Sequence, residues 1–268
     1  MFSAMFGRKK IMRILAVGDV VAKPGREYIF QNLNRIKSEY SIDFCIVNGE
    51  NVCSTNGLNR EYFDMLISRG ADVVTLGNHT FANHQVADLL EESDRIIRPA
   101  NYPPETVGLG YTIHDLGVAR VAVINALGRA YMDPMDCPFR AVDKILTEIS
   151  GQAEVIVVDF HAETTSEKLA FANYFDGRVN VVFGTHTHVQ TADERVLPNG
   201  TAYITDVGMT GVHDSVLGVK KEIIIKNFLT RRHHRYEKAL GAVWFNGCVF
   251  EVDAKSGKVI EVERLFIK

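Results

Sequence analysis

Seven short apolar runs recur along this chain of 268 residues, and each stops on or beside a glycine or a polar residue. They are MRILAVGD, FCIVNGEN, DVVTLGNH, RVAVINA, EVIVVDFH, VNVVFGTHTH and TAYITDVG. Val- and Ile-rich runs of four to seven residues without polar alternation read as strands buried on both faces, which requires layers packed above and below the sheet. Between the runs lie segments of helical spacing. Residues 24–40, PGREYIFQNLNRIKSEY, open with proline and place Ile29, Leu33 and Ile36 on one face, and residues 138–149 and 164–176 share the pattern. The alternation predicts an α/β fold built in layers. A chain of this length fills one large core, so residues 12–268 read as a single domain preceded by an N-terminal extension, residues 1–11. After about residue 240 the texture changes to GAVWFNGCVFEVD and GKVIEVERLFI joined by AKSG, a hairpin expected to complete a second sheet. Residues 98–118 hold three of the seven prolines and read as a long loop or small cap.

The net charge of -3 and a charged fraction of 24% give no sign of a general polyanion-binding surface. The basic run RRHHRYEK, residues 231–238, could touch an RNA or a nucleotide phosphate, but a solvated loop explains it as well. The four cysteines, Cys45, Cys53, Cys137 and Cys248, lack CxxC spacing, which argues against a disulfide framework or a thiolate zinc site and suits a reducing cytoplasm. The apolar stretch from Ile14 to Val17 is too short for a signal peptide or membrane span. Composition leaves a homo-oligomer open.

The ends of the strand-like runs carry the chemistry. Asp19 follows the first, Glu50 and Asn51 the second, Asn78 and His79 the third, His161 the fifth, and His186 and His188 the sixth. Ligands of open α/β sheets collect at the carboxyl ends of strands, so these eight residues from five strands are expected to converge. Singly, Asp19 could be a cap, Asn51 a turn residue and His161 a hydrogen-bonded core histidine. Together they mix neutral imidazole nitrogens with hard carboxylate oxygens, a set suited to Mn, Fe or Zn and too nitrogen-rich for Mg or Ca alone. His84, His114 and His213 fall outside the pattern, and Asp206, Thr210, Asp214 and Ser215 could line a substrate pocket.

In their order along the chain, GDV, NGEN, GNHT, DFH and GTHTH resemble the motifs of the calcineurin-like metallophosphoesterases, over essentially the whole chain. Three departures stand out: Val21 replaces the histidine of the first motif, Glu50-Asn51 the second aspartate motif, and Thr80 the acidic residue after Asn-His. With GDVVAKPGR and DVGMTGVHDSVLG they resemble the bacterial YmdB-type branch, whose members act on cyclic nucleotide phosphodiesters. The resemblance implies a metallophosphoesterase-like layered β-sandwich flanked by helices. It also implies two divalent transition-metal ions, Fe or Mn first and Zn as an alternative. Asp19, Asn51 and His188 would hold one ion, Asn78, His161 and His186 the other, and Glu50 would bridge them. A hydroxide shared by the ions would attack phosphorus, with His79 as general acid. The implied substrate is a small cyclic nucleotide, 2',3'-cyclic ones included. The competing readings are a phosphomonoesterase such as a nucleotidase on the same metals, and a non-catalytic, RNA-associated regulator with a structural metal.

Overall fold

The structure, a computed structural model, describes residues 11–268. The expected extension therefore lies outside the described residues except for Ile11, which opens the first strand. In chain order the first half contains β1 (Ile11–Val17), β2 (Asp19–Val20), α1 (Ala22–Glu39), β3 (Phe44–Asn48), α2 (Arg60–Ser68), β4 (Val73–Thr75), a 3-10 turn (Thr80–Ala82), α3 (Val86–Glu92), β5 (Ile96–Ile97), β6 (Tyr111–Asp115) and β7 (Arg120–Leu127). The second half contains α4 (Pro138–Glu148), β8 (Val155–His161), α5 (Thr165–Tyr174), β9 (Val181–Thr185), β10 (Arg195–Val196), β11 (Ala202–Ile204), β12 (Met209–Val212), α6 (Lys221–Thr230), β13 (Val243–Asp253) and β14 (Val259–Ile267).

These strands form two stacked sheets. One follows the order β2-β12-β13-β1-β3-β4-β5, with β14 added to β13, and the other β10-β11-β9-β8-β7-β6. Alternate residues of each strand point to opposite faces. In β1, Ile14 and Ala16 therefore enter the layer between the sheets, with Phe44, Val123, Val157 and Phe183. Leu15 and Val17 face the other way, against Ile29 and Leu33 of α1. The second sheet repeats the arrangement, its outer face packing Ile124 and Phe160 against Val142 of α4 and Phe171 of α5. Two covered faces per sheet explain why the strands lack polar alternation, and the result is the expected helix-flanked sandwich.

Two expectations are corrected. The terminal hairpin does not complete a second sheet: β13 runs antiparallel to β1 from Gly247 to Asp253, joining the sheet that begins the chain. An antiparallel strand can enter a parallel sheet without a helical crossover. Residues 98–118 are not all loop or cap either, because Tyr111–Asp115 pairs antiparallel with β7 as the edge of the second sheet. The preceding loop is tied down by Arg98, whose guanidinium donates to the carbonyls of Pro99, Thr106 and Val107. Among the described residues, no helix is long and apolar enough to cross a membrane.

Candidate metal centre

The carboxyl ends of β1, β3 and β4 in one sheet and of β8 and β9 in the other meet at one edge of the sandwich. All eight predicted residues lie there. Glu50, His161 and His186 form the tightest group, with ligand atoms all within 4.8 Å of one another. His161 Nε2 is 3.0 Å from Glu50 Oε1, 3.0 Å from Asn78 Oδ1 and 3.0 Å from His186 Nδ1. One ring proton cannot serve three acceptors, whereas a cation can accept all four lone pairs. A second group adjoins it: Asn51 Nδ2 lies 3.1 Å from Asp19 Oδ1, 3.2 Å from Glu50 Oε1 and 3.3 Å from His188 Nε2. A half-turn of the Asn51 amide exchanges that nitrogen for Oδ1, the atom able to bind a cation. Glu50 belongs to both groups.

Hydrogen bonds behind the rings aim the histidines. Thr185 gives its hydroxyl proton to Asp159 at 2.6 Å, so its oxygen accepts from His161 Nδ1 at 2.9 Å. His188 Nδ1 faces the carbonyl of Leu217 at 3.3 Å, and His186 Nε2 faces Glu163 at 3.1 Å. Each ring thus engages an oxygen with one nitrogen and turns the other toward the ligand groups, the usual support for metal-binding imidazoles. The two rings of GTHTH converge because His186 and His188 both adopt left-handed backbone, with φ of 97° and 62°. That departs from strand geometry, where i and i+2 would simply run parallel along one face. The bend is held by Asp206, which accepts from Thr187 N at 3.1 Å and Thr187 Oγ1 at 2.7 Å, and is itself paired with buried Lys168 at 2.6 Å. Asp206 therefore supports the bend and does not line a pocket.

The electrostatics call for positive charge. Asp19, Glu50 and Asp159 are essentially inaccessible to solvent. Burial disfavours the charge of Asp19, yet His188 and His161 hold its carboxyl well below the usual range. Burial likewise disfavours a charged His161, but Glu50, Asp19 and Asp159 outweigh it and push its pKa up to about 9. Burial and the charge on His161 drive His186 down to about 4. A cluster of buried acids that raises one imidazole and leaves another free to donate its lone pair fits a divalent cation.

Gly77 owes its identity to space. It is not among the glycines with positive φ, so the chain does not need it to turn out of the sheet. A Cβ there would lie 2.4 Å from His161 Nε2 and 2.5 Å from Glu50 Oε2. Thr80, where the related motif carries an acid, closes the turn by donating to Gly77 O at 2.6 Å. The His79 ring stands outside both groups: its backbone N–H donates to Glu50 Oε2 at 2.9 Å and its ring meets Asn56. Sequence reasoning missed Asn56, Asp159, Glu163, Lys168 and Thr185. An acid inside the otherwise apolar VIVVDFH was the one available signal. Of the histidines outside the pattern, His84 is exposed, His114 packs on Phe44 and His213 stacks on Trp244.

Sandwich and site together define a metallophosphoesterase, a hydrolase. Within that class the chain belongs to the YmdB-like family, whose model matches residues 15–265. It is 44% identical over 256 residues to a Bacillus subtilis protein named 2',3'-cyclic-nucleotide 2'-phosphodiesterase, covering 96% of this chain and 97% of that one. It is 37% identical over 264 residues to a Mycoplasma pneumoniae protein named putative phosphatase/phosphodiesterase, covering 96% and 93%. The crystal structure described as a novel phosphatase from Mycoplasma pneumoniae superposes with a TM-score of 0.91 at 35% identity, covering 97% of this chain and 94% of the other. A putative 5'-nucleotidase from Staphylococcus aureus, at 17% identity and a TM-score of 0.61, shares the fold over 96% of this chain and 54% of its own.

Proposed function

We propose that the protein hydrolyses small cyclic nucleotides, 2',3'-cyclic ones included, at a binuclear metal centre. The observation that supports this most is the sharing of Glu50 between two adjoining donor groups, each completed by neutral nitrogen or amide donors. Asp19, Asn51 and His188 would hold one ion, Asn78, His161 and His186 the second, and Glu50 would join them. Fe and Mn suit this mixed set, with Zn as an alternative. The chemistry such ions supply is activation of water at neutral pH and neutralisation of phosphoryl charge.

His79 binds neither ion in this scheme, so its ring is available to the substrate. As general acid it would protonate the departing oxygen. A second reading is favoured by the Asn56 amide 3.1 Å from Nε2: the ring gives the leaving oxygen a hydrogen bond without releasing its proton. A phosphodiesterase is favoured over a nucleotidase because the Bacillus subtilis protein, 44% identical over nearly the whole of both chains, bears the name of a phosphodiesterase.

Metal analysis of protein purified without chelator, combined with a panel of cyclic diesters, linear diesters and monoesters, tests the proposal. Two ions per chain are expected, with cyclic diesters turned over fastest. Glu50→Ala should deplete both ions, since it alone belongs to both groups. Loss of a single ion would refute the bridge, and faster turnover of monoesters would hand the site to the nucleotidase reading.

A further inference from the structure

The segment between β12 and β13 leaves the body of the protein and returns. Val219 bridges Lys238 at its neck, where Lys220 N donates to Glu237 O at 2.9 Å and Ala239 N to Gly218 O at 2.9 Å. Its helix, α6, buries none of its residues. The neck delivers Lys238, 182 residues away in sequence, to Asn56, with Nζ 3.1 Å from Oδ1. Asn56 in turn places Nδ2 3.1 Å from His79 Nε2. Among the described residues no carboxylate forms an ion pair with Lys238, so this amide is the ammonium's polar partner.

The polarity of this chain of contacts is decided at one end. An ammonium only donates, so the Asn56 atom facing Lys238 is the carbonyl oxygen. The atom facing His79 is then the NH₂, which also donates, and His79 Nε2 must accept. Asn56 is held for the task by its own backbone. It sits at φ 65°, a conformation asparagine tolerates, in a turn closed by its N–H to Cys53 O at 3.1 Å. Resting on the proposed reading of the site, we infer that Lys238, through Asn56, fixes His79 as the Nδ1–H tautomer, so that the ring meets the substrate as a hydrogen-bond donor from Nδ1. Lys238 and Asn56 are positioning residues, since neither touches the ligand groups. The usual carboxylate partner of an imidazole would accept from the ring; this amide donates to it, which selects the opposite tautomer.

The test is ¹⁵N–¹H NMR of the full chain with ¹⁵N-labelled histidine rings, carrying diamagnetic zinc and no substrate, with His79 assigned through His79→Gln. The wild type should show Nδ1 as the protonated, pyrrole-type nitrogen and Nε2 as the pyridine-type one. Lys238→Arg, which also only donates, should keep that pattern, Lys238→Met should blur it, and Asn56→Asp should move the proton to Nε2. In turnover, Lys238→Met should lower kcat about tenfold, the worth of one hydrogen bond, with KM and metal content unchanged. A protonated Nε2 in the wild type, or an unchanged tautomer in Lys238→Met, overturns the inference. A raised KM with unchanged kcat overturns it too and makes Lys238 a phosphate contact. The spectra are read without substrate, so they stand or fall separately from the phosphodiesterase proposal.

Discussion

Replacing Gly77 with alanine puts a single methyl group against the two side chains that anchor the site. The added Cβ would lie 2.4 Å from both Cδ2 and Nε2 of His161 and 2.5 Å from Glu50 Oε2, where ordinary contact begins at 3.4 Å. About 1 Å must therefore be found. His161 cannot retreat freely, because it is wholly buried and held at Nδ1 by Thr185, and Glu50 Oε2 is held by the His79 N–H at 2.9 Å. Overpacking of this kind costs about 1–3 kcal/mol, which a chain of this size survives folded. Displacement of catalytic groups by roughly 1 Å costs about 10²-fold in rate. Gly77→Ala should thus unfold in urea at a modestly lower midpoint with the slope unchanged, while losing metal and about two orders of magnitude in kcat/KM. Elemental analysis, urea titration and cyclic diester turnover read the three quantities on one preparation. Full metal content with wild-type kcat/KM would refute the reasoning, since it would mean that the ligands move aside without consequence.

Two further outcomes follow from buried groups. Lys168→Met strips Asp206 of its ammonium partner in the interior and should destabilise the fold by about 3–5 kcal/mol in urea unfolding; a loss below about 1 kcal/mol would show that Thr187 and Gly208 satisfy the carboxylate alone. Burial raises the thiol pKa values of Cys53 and Cys248 and pushes that of Cys45 up to about 12, so near pH 8 these three hold little reactive thiolate. A disulfide reagent should titrate one thiol per native chain, half-buried Cys137, and the other three only after denaturation. A Cys137→Ser protein that still reacts promptly would contradict this.

The sequence made the sandwich's strands and most of the site readable for a common reason. A strand covered on both faces leaves an unbroken apolar run, and a candidate ligand at its end interrupts the run with a residue no core requires, as Asp19, Asn78 and His161 do. Partner strands are another matter. The hairpin of β13 and β14 was recognisable, but which strand it joins depends on the route of the chain between them. Strand β6 was hidden because YTIHD is short and follows a stretch rich in proline and glycine. Asn56 and Lys238 carry no periodicity and act through another residue; only the folded neck at Val219 and Lys238 brings them together. At Gly77 the sequence shows only a glycine that a turn would accommodate, whereas the folded chain sets it against Glu50 beyond β3 and His161 of β8, where a Cβ has no room.

The site draws on both sheets: Glu50 and Asn78 extend from one, His161 and His186 from the other. An ion held by these residues would rivet the two layers at their shared edge, so that prising the sandwich apart would also release the ion. Binding energy there is then folding energy, and stability rises with free metal as RT ln(1 + [L]/Kd). In a cell short of metal, a chain that binds such an ion would be both less active and easier to degrade, and metal supply would then control how much of the protein persists as well as how fast it works.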